Sequence, residues 1–574
     1  MNRITRRTAL ASTLAIGAAS CTPSPKMTHY AATDESATGE FAHGIASGDP
    51  GPSSIVLWTR VSLPEAEAGS RARVIWEISA DEAFTEMVGK GDVETGASRD
   101  WTVKALVGDL LPGTRYYYRF RVGDTYSAVG RTKTLPVGAV ERVRFAVLSC
   151  TNYPFGYFNV YDLVARQDDL DAVIHLGDYL YEYSREGYGG ASGAQLNREH
   201  LPAHECVQLD DYRQRHAQYK ADPASQAMHR RHSIIAIWDD HETSNDSWSG
   251  GAENHNPETE GDWGVRRRAA LQAYYEWMPV REPDMAPEAF FRSFSYGDLL
   301  TIAAIETRLM ARARQFEYSE IIPTLKTPED IAHFNNSILW DESREMLGGA
   351  QLDYLKRTFK NSVSNGQPWR LIANQVTMAK VTAPDLNPHV TEEDIADLEQ
   401  QWDQARAFVK SSALGLPLNF DAWDGYPAAR ERFYDMARDA GDTGMLVITG
   451  DTHTWWANDL VDRDGRHMGV ELGTHSVTSP SPYAKSFLGG KGAEYALLTN
   501  KENKDVRYLS GEHHGFIELT ITHDKAHAEY KAVDNIESGE YNAFTKVAFD
   551  VKKTSTGAKF SNPHGLTFKE RMLF

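Results

Sequence analysis

Short apolar segments alternate with longer helical stretches from residue 142 onward, and this alternation limits the possible folds more than any other feature of the sequence. The helical stretches include residues 157–167, 209–227, 264–278 and 427–440. The apolar segments read as buried strands: VRFAVLSC, DAVIHLGD, HSIIAIWDD, LLTIAAIETR, WRLIANQVT and MLVITGDTH. Strands alternating with helices predict a layered α/β domain over residues 142–540, and the long intervening segments leave room for antiparallel strands in a mixed sheet.

A different pattern fills residues 41–138. Short segments with period-two alternation, such as SIVLWTR, ARVIWEIS and TRYYYRFRV, are separated by Gly, Pro and Asp. This spacing is typical of an all-β sandwich. In LLPGTRYYYRF, Tyr116 follows Leu110, Pro112 and Thr114 at alternate positions, which suits a tyrosine corner of a fibronectin type III-like module. The fold class predicted is therefore multidomain, with this sandwich preceding the α/β domain.

The first 27 residues are typical of an export signal. A basic start containing Arg6-Arg7 precedes an apolar core and small residues before Cys21. The arginine pair indicates the twin-arginine machinery, which exports folded proteins, and an ordinary secretory signal is the alternative. We expect a periplasmic or secreted protein. Lipid anchoring at Cys21 is less expected, because Ala18 stands where a lipobox usually has leucine.

Two segments flank the predicted domains, one after the export signal and one at the C-terminal side. Residues 28–40 are small and polar and are interpreted as a linker. Residues 541–574 have mixed charge and are interpreted as a C-terminal extension, either a lid over the site or a disordered end. No stretch after the signal is apolar for long enough to predict a transmembrane helix.

The charge of the chain bears on its partners. With a formal net charge of −20 the protein is not expected to hold nucleic acid as a stable partner, because phosphate backbones require a basic surface. An acidic protein can still act on phosphate esters where bound metal ions reverse the local charge. The chain has only three cysteines, and a Cys150–Cys206 disulfide stays open as an alternative to any other use of these two residues. No pattern indicates oligomerisation, so a monomer is expected.

Polar side chains follow five of the predicted strands, at the carboxyl ends where open α/β sheets place their ligand crevices. An aspartate after one strand is usually a turn former or helix cap. A set that repeats at five strand ends predicts one shared rim, with these members: Cys150, Asp178, Asp239, Asp240, His241, Glu242, Asn374, Gln375, Asp451 and His453.

The stretch VIHLGDYLYEY adds Tyr181 three residues after Asp178. Carboxylates, a phenol, a thiol and an imidazole that converge would repel and desolvate one another unless cations lay between them. Phenolate and thiolate favour Fe³⁺, whereas an oxygen-rich neighbouring set suits Ca²⁺, Mg²⁺ or Mn²⁺. Two such metals form a site for displacement at phosphorus.

Several motifs in matching order resemble the alkaline phosphatase D family, which includes phospholipase D-type members and belongs to the calcineurin-like metallophosphoesterases. They are HGIASGDP with VLWTR, SCTNY, HLGDYLYEY, WDDHETSND, WDGYPAAR, ITGDTHTWW and HHGF. The resemblance runs from residue 41 to about residue 540. It implies an exported phosphoesterase, acting on monoesters or diesters, with iron and one or two calcium ions in a metallophosphoesterase domain.

The resemblance also implies roles for single residues. Cys150, Tyr181 and His453 would ligate Fe³⁺, and Asp178 would bridge the metals. Asp240 and Asp451 would bind the second metal, with His241 beside the phosphate as proton donor. Asn374 or Gln375 would supply a further ligand.

Two further residues have two interpretations each. Arg308 would clamp the phosphate or form a structural salt bridge, and Glu306 departs from the Asp-Thr-Arg usual in the family. His514 would face the substrate or simply lie beside a strand.

Two other classes of function remain as alternatives. An exported polysaccharide hydrolase would use paired carboxylates and an aromatic cleft, but it leaves Cys150 and Tyr181 without a role. A non-catalytic cell-surface binding protein would use the sandwich as its interaction module. The substrate depends on loops, of which residues 184–206 and 243–263 are expected to rim the pocket.

Overall fold

The computed structural model describes residues 27–28, 41–62, 70–399, 405–484 and 492–564. The predicted export signal, Cys21 and nearly all of the predicted linker lie outside these residues. Within the described ranges no helix is both long and apolar enough to cross a membrane.

The strands and helices follow one another in chain order. The described residues of the first part of the chain contain nine strands: β1 (Met27–Thr28), β2 (Ile45–Gly48), β3 (Ile55–Arg60), β4 (Arg71–Ser79), β5 (Met87–Gly96), β6 (Thr102–Val107), β7 (Arg115–Val122), β8 (Thr125–Tyr126) and β9 (Gly130–Lys133). The first alternating region contains β10 (Arg142–Leu148), α1 (Asn159–Ala165), β11 (Ala172–His175), α2 (Gly190–Leu196), α3 (Leu209–Ala221), α4 (Pro223–Arg231), β12 (Ser233–Ala236), α5 (Pro257–Glu260) and α6 (Trp263–Trp277).

The second alternating region contains β13 (Arg292–Tyr296), β14 (Leu300–Ala304), α7 (Tyr318–Ile321), α8 (Pro328–His333), α9 (Gly348–Ser364), β15 (Trp369–Ala373), α10 (Glu392–Glu399), α11 (Ala405–Ser411), α12 (Pro427–Asp439), β16 (Met445–Thr449), β17 (Trp455–Val461), β18 (His467–Gly473), α13 (Ala493–Thr499) and β19 (Val506–Ser510). The chain closes with β20 (Gly515–Thr522), β21 (Lys525–Val533), β22 (Glu540–Tyr541), β23 (Ala543–Thr554) and β24 (Gly557–His564).

Two large mixed sheets form the α/β part. One has ten strands in the order β24-β23-β21-β20-β10-β11-β12-β2-β3-β6, and the other has seven in the order β13-β14-β15-β16-β18-β17-β19. Parallel pairs lie at the centre of each sheet, namely β10-β11-β12 and β14-β15-β16-β18, and antiparallel strands extend both. The predicted fold class, including its mixed sheets, is confirmed.

Alternation along the central strands places the sheets face to face. In β10 Phe145 and Val147 point into a core shared with Ile302 of β14 and Ile448 of β16, which lies between the sheets. The intervening residues of β10, such as Ala146, belong to a second core with α1, α4 and α6. On the far side the other face of the seven-stranded sheet packs against α9, α10, α11 and α12. Period two therefore buries both faces of each central strand, which gives four layers.

The N-terminal strands form the predicted sandwich, but its two sheets differ in connection. Strands β5, β4, β7 and β8, with β9 beside β7, form a separate sheet. Strands β2, β3 and β6 instead extend the ten-stranded sheet, because Ser47 and Gly48 of β2 pair in parallel with β12. The tyrosine corner is present, since the hydroxyl of Tyr116 accepts a hydrogen bond from the Leu111 N–H at 2.8 Å.

Most of residues 543–564 form strands of the ten-stranded sheet. Strand β23 pairs antiparallel with β21, and β24 pairs with β23. Val547, Phe549 and Val551 alternate into the core between the sheets. The interpretation of residues 541–574 as a separate extension or lid is therefore wrong for the part that the structure describes. Alternate residues of β23 are apolar, which is the pattern of a half-buried strand.

Candidate metal centre

The strand ends meet at one rim, and three of them deliver their polar residues through a strained turn. Cys150, Asp178, Asp451 and His453 all have positive φ, at 58°, 53°, 64° and 51°. Non-glycine residues adopt this left-handed conformation only where the surrounding structure enforces it, and such strain concentrates at functional sites.

Gly177 shows why a glycine precedes the aspartate of the second strand end. Its φ is 105°, and a Cβ at this position would lie 2.5 Å from both the Cβ and the backbone nitrogen of Asp239. Only glycine allows the two neighbouring strand ends to approach this closely. The approach brings Asp178 and the Asp239-Asp240 pair into one cluster.

Three groups of side chains have ligand atoms within 4.8 Å of one another. They are Cys150 with Asp178 and His453, Asp178 with Asp240 and His241, and Asp239 with Asp240 and Asp451. Asp178 belongs to the first two groups and Asp240 to the last two. The three groups thus form a continuous row of metal-ligand side chains with room for more than one cation. We call it the donor row, and its members are Cys150, Asp178, Asp239, Asp240, His241, Asp451 and His453.

Tyr181 joins the same row. Its hydroxyl lies 3.0 Å from Asp178 Oδ2, 3.0 Å from His453 Nε2 and 2.8 Å from the hydroxyl of Ser479. His453 Nδ1 lies 3.0 Å from the Pro480 carbonyl, to which it donates, so Nε2 carries the free lone pair. Burial lowers the pKa of His453 to about 4, which leaves a neutral imidazole suited to metal ligation.

The buried carboxylates of the row lack enough donors. Within the described residues three of their oxygens have no hydrogen-bond partner, namely Asp178 Oδ1, Asp239 Oδ2 and Asp240 Oδ1, and the same holds for Oδ2 of the nearby Asp421. Buried polar atoms are normally satisfied, because an unpaired one costs about 1 to 3 kcal/mol. The unpaired oxygens therefore fit positions that cations would occupy.

The pKa shifts of the side chains in the row support the same interpretation. Burial, followed by the charges of neighbouring carboxylates, raises the pKa of Asp451 well above its usual range, and burial raises that of Asp178 likewise. Burial also raises the pKa of the Cys150 thiol and of the Tyr181 phenol, with the charge of Asp178 as the next cause. Anionic forms of these groups would coexist only beside compensating positive charge.

His241 is held by an acid that the sequence analysis missed. Its Nδ1 donates to Glu182 Oε2 at 2.8 Å, and Glu182 Oε1 accepts the Asn245 N–H at 2.7 Å. The Glu182 side chain is fully buried. The pair fixes the imidazole with its Nδ1 occupied, so Nε2 is the nitrogen available for chemistry. The signal in the sequence is the acidic residue directly after Tyr181.

Glu242, one of the predicted rim residues, ties two strand ends together. Its oxygens accept backbone N–H groups from Asp178 at 3.0 Å, Tyr179 at 2.5 Å and Asp239 at 2.8 Å. The N–H groups of Asp178 and Tyr179 belong to one strand end and that of Asp239 to the other, and Gly177 lets these two ends approach each other. Glu242 therefore positions the backbone that carries the aspartates rather than the metals themselves.

Arg308 occupies the centre of a buried salt-bridge network. Its Nε pairs with Asp239 at 2.5 Å and its Nη1 with Asp421 at 2.7 Å. Its Nη2 lies 3.5 Å from Asp240 Oδ1 and 3.6 Å from Asp451 Oδ1 without a hydrogen bond within the described residues. The structural salt bridge is thus present, and one amino group of the fork faces the donor row.

Glu306 caps the loop that presents this arginine. Its carboxylate accepts the N–H groups of Arg308, Leu309 and Met310, at 2.8, 2.7 and 2.9 Å, and the indole N–H of Trp238 at 3.1 Å. Glu306 therefore fixes the geometry of the loop that presents Arg308.

The two predicted amide ligands are engaged elsewhere. Asn374 donates to the Val376 carbonyl at 2.6 Å, and its oxygen accepts the Trp423 indole N–H at 3.3 Å. Gln375 donates to two backbone carbonyls and accepts the Thr307 hydroxyl at 2.8 Å. Both N–H groups of the Gln375 amide are thus used, and Gln375 links its own strand end to those that follow β12 and β14.

His514 and the two cysteines complete the set. His514 Nδ1 lies 3.0 Å from the Ser476 hydroxyl, and burial, then the charge of His453, lowers its pKa to about 3. It therefore lies near the row as a neutral ring. Cys150 and Cys206 are both buried and free, so the alternative of a disulfide between them is wrong.

The comparisons with known proteins agree with this geometry. The model of the PhoD-like phosphatase family matches residues 145–530, and that of the PhoD-like phosphatase N-terminal domain matches residues 26–136. A relative named alkaline phosphatase D, from Bacillus subtilis (strain 168), is 32% identical over 538 residues, which cover 90% of this chain and 82% of the relative. A solved structure described as that of PhoD superposes with a TM-score of 0.72 at 29% identity, covering 91% of this chain and 92% of the other. The resemblance found in the sequence is thereby confirmed, and the chain belongs to the PhoD-like phosphatase family.

Proposed function

We propose that this protein is an exported, metal-dependent phosphoesterase that hydrolyses phosphate monoesters, diesters or both. Membership of the PhoD-like phosphatase family supports the hydrolysis of phosphate esters. The observation that carries the metal dependence is the row of overlapping donor groups whose buried carboxylate oxygens lack hydrogen-bond partners. A glycan hydrolase would need neither the thiol nor the phenol in that row.

The donor types suggest which ion each part of the row would take. Cys150, Tyr181 and His453, with Asp178 shared, offer a thiolate, a phenolate and an imidazole, which favour Fe³⁺. Asp240 and Asp451, with Asp239 beside them, offer only carboxylate oxygens, which favour Ca²⁺, with Mn²⁺ or Mg²⁺ as substitutes. Bound ions of this kind would neutralise phosphate oxygens and acidify the attacking water.

The side chains around the row supply the remaining functions. His241 would donate a proton from Nε2 to the departing oxygen, because Glu182 occupies its Nδ1. Arg308 would direct its free Nη2 group toward a phosphate oxygen between Asp240 and Asp451 while its other nitrogens stay bound to carboxylates. Glu242 would keep the two aspartate-bearing strand ends in register.

A single set of assays tests the proposal. The purified protein is analysed for metals and assayed with p-nitrophenyl phosphate and bis-p-nitrophenyl phosphate, before and after chelation. We expect iron together with calcium, hydrolysis of at least one ester, and loss of hydrolysis on chelation. Full activity in metal-free protein, or release of reducing sugar from polysaccharide without ester hydrolysis, would remove the proposal.

Export is proposed on the sequence alone. Arg6-Arg7 before an apolar core supports the twin-arginine route. Replacing both with lysine should leave the protein in the cytoplasm in cell fractionation. Unchanged export would favour an ordinary signal, and a membrane fraction lost in Cys21→Ala would favour the lipid-anchored alternative.

A further inference from the structure

A row of aromatic rings leads from the donor row to the protein surface. The ring of His241 lies 4.1 Å from that of Tyr181 and 5.3 Å from that of Tyr183. Tyr183 lies 5.7 Å from Tyr188, and Tyr188 lies 4.8 Å from Phe155, with both pairs edge to face. We name Phe155, Tyr183 and Tyr188 the aromatic wall.

Tyr188 is the exposed member of the wall. It is 38% exposed, whereas Tyr181 is completely buried and His241 is 7% exposed. The Tyr188 ring lies 6.4 Å from that of Tyr181, and none of the roles assigned so far uses it. The exposed face of the Tyr188 ring is therefore available to a substrate that approaches the donor row from solvent.

The loop that carries Tyr188 is built to hold it still. The Gly187 N–H donates to the Ser184 carbonyl at 3.1 Å, and the Gly190 N–H donates to the Gly187 carbonyl at 2.8 Å. Gly189 adopts φ 93°, and a Cβ there would lie 3.0 Å from the Phe155 ring. The turn thus packs closely against the wall, which makes Tyr188 a rigid platform rather than a mobile side chain.

The wall lies on the side of the site where the alcohol group departs. His241 would protonate the oxygen of the leaving group, so the organic group attached to that oxygen lies near His241. Ring contacts lead outward from His241 through Tyr183 to the exposed Tyr188. The organic part of the ester would therefore contact the wall.

The geometry of the wall favours one kind of group. The Tyr183–Tyr188 and Tyr188–Phe155 ring pairs both meet edge to face. A flat ring on the substrate would extend these contacts.

We infer that Tyr188, supported by Phe155 and Tyr183, forms a subsite for the leaving group and favours esters whose alcohol carries a flat ring. The inference rests on the proposed phosphoesterase function and deepens it. Tyr188 is then a specificity-determining residue, with no part in the chemical step.

The experiment compares leaving groups of similar basicity. Benzyl, cyclohexylmethyl and ethyl phosphates, and the methyl diesters of each, are assayed by the release of the alcohol with wild-type protein, Tyr188→Phe and Tyr188→Ala. Tyr495→Ala is the matched control, because it removes a tyrosine that is 56% exposed on α13.

We expect wild-type protein to hydrolyse the benzyl ester with a kcat/KM about 5- to 10-fold above that of the ethyl ester, with the cyclohexylmethyl ester between them. Tyr188→Ala should lose this preference and keep its rate on the ethyl ester, whereas Tyr188→Phe and Tyr495→Ala should behave as wild type.

Two results would overturn the inference in distinguishable ways. Equal hydrolysis of all esters by wild type, or a uniform loss in Tyr188→Ala, removes the subsite and leaves the phosphoesterase function intact. Failure of wild-type protein to hydrolyse any ester removes the function and the subsite together.

Discussion

Glu182 and His241 form a buried pair in which the imidazole Nδ1 donates to the carboxylate at 2.8 Å. The carboxylate fixes the ring orientation and stabilises its protonated form, since the neighbouring charges of Asp240 and Glu182 raise the pKa of His241 above its usual value despite the burial that lowers it. A proton donor held in this way is suited to a leaving-group role.

Replacing Glu182 with glutamine should therefore lower kcat at least about tenfold and leave KM and metal content nearly unchanged. His241→Ala sets the lower limit of the series, with kcat expected to fall by about 10² to 10⁴. Glu205→Gln, an acid paired with Arg266, is the control. Equal loss of bound metal and of rate in Glu182→Gln would show that the acid supports the metals instead.

Tyr181 is expected to give the protein a colour. A phenolate bound to Fe³⁺ absorbs visible light by charge transfer, and the Tyr181 hydroxyl lies 3.0 Å from both Asp178 and His453 in the donor row. Tyr181→Phe should abolish the visible band and lower the activity. Tyr183→Phe is the matched control and should keep the band. A spectrum unchanged in Tyr181→Phe would exclude the phenol as an iron ligand.

Much of the donor row could be predicted from the sequence, because period-two burial fixes where a strand ends. Cys150, Asp178, Asp451 and His453 each follow a continuous apolar run, and parallel strands bring their carboxyl ends to one edge within each of the two sheets. Tyr181 was found by its distance of three residues from Asp178. The tyrosine corner at Tyr116 was predicted for the same local reason.

The contacts that the supporting carboxylates make could not be predicted from one sequence. Glu242 bonds to backbone N–H groups 63 and 64 residues away, and Asp421 meets Arg308 across 113 residues. These contacts depend on how two loops approach each other in three dimensions, which local propensity does not encode. The place of β2 beside β12, which joins the sandwich to the main sheet, is long-range in the same sense.

Arg308 is expected to stabilise the fold as well as the site. Its Nε and Nη1 pair with Asp239 and Asp421 in a fully buried setting. Removing one partner of a buried pair leaves uncompensated charge, so Arg308→Met should lower the free energy of unfolding by about 3 to 5 kcal/mol. Denaturant titration measures the change, and Arg314→Met, at an exposed ion pair, should cost less than about 1 kcal/mol. Similar costs in both would contradict the buried network.

Lys220 is a buried lysine whose removal should stabilise the protein near neutral pH. It is 1% exposed, its Nζ lies 2.9 Å from His229 Nε2, and it faces the rings of Trp58 and Tyr179 at 5.3 and 4.7 Å. Burial lowers its pKa well below the ordinary value of 10.5. Because the folded state then holds this amine neutral, the unfolded chain binds one more proton between the folded pKa and 10.5.

This difference in proton binding destabilises the fold at neutral pH, and the effect fades as the pH rises toward 10.5. Lys220→Met should therefore raise the unfolding midpoint at pH 7.5, with a smaller gain at pH 10, in thermal scans at one fixed rate. Lys380→Met, at an exposed lysine, should change neither midpoint. A lower midpoint for Lys220→Met at pH 7.5 would show that the amine stabilises the fold through His229 by more than its desolvation costs.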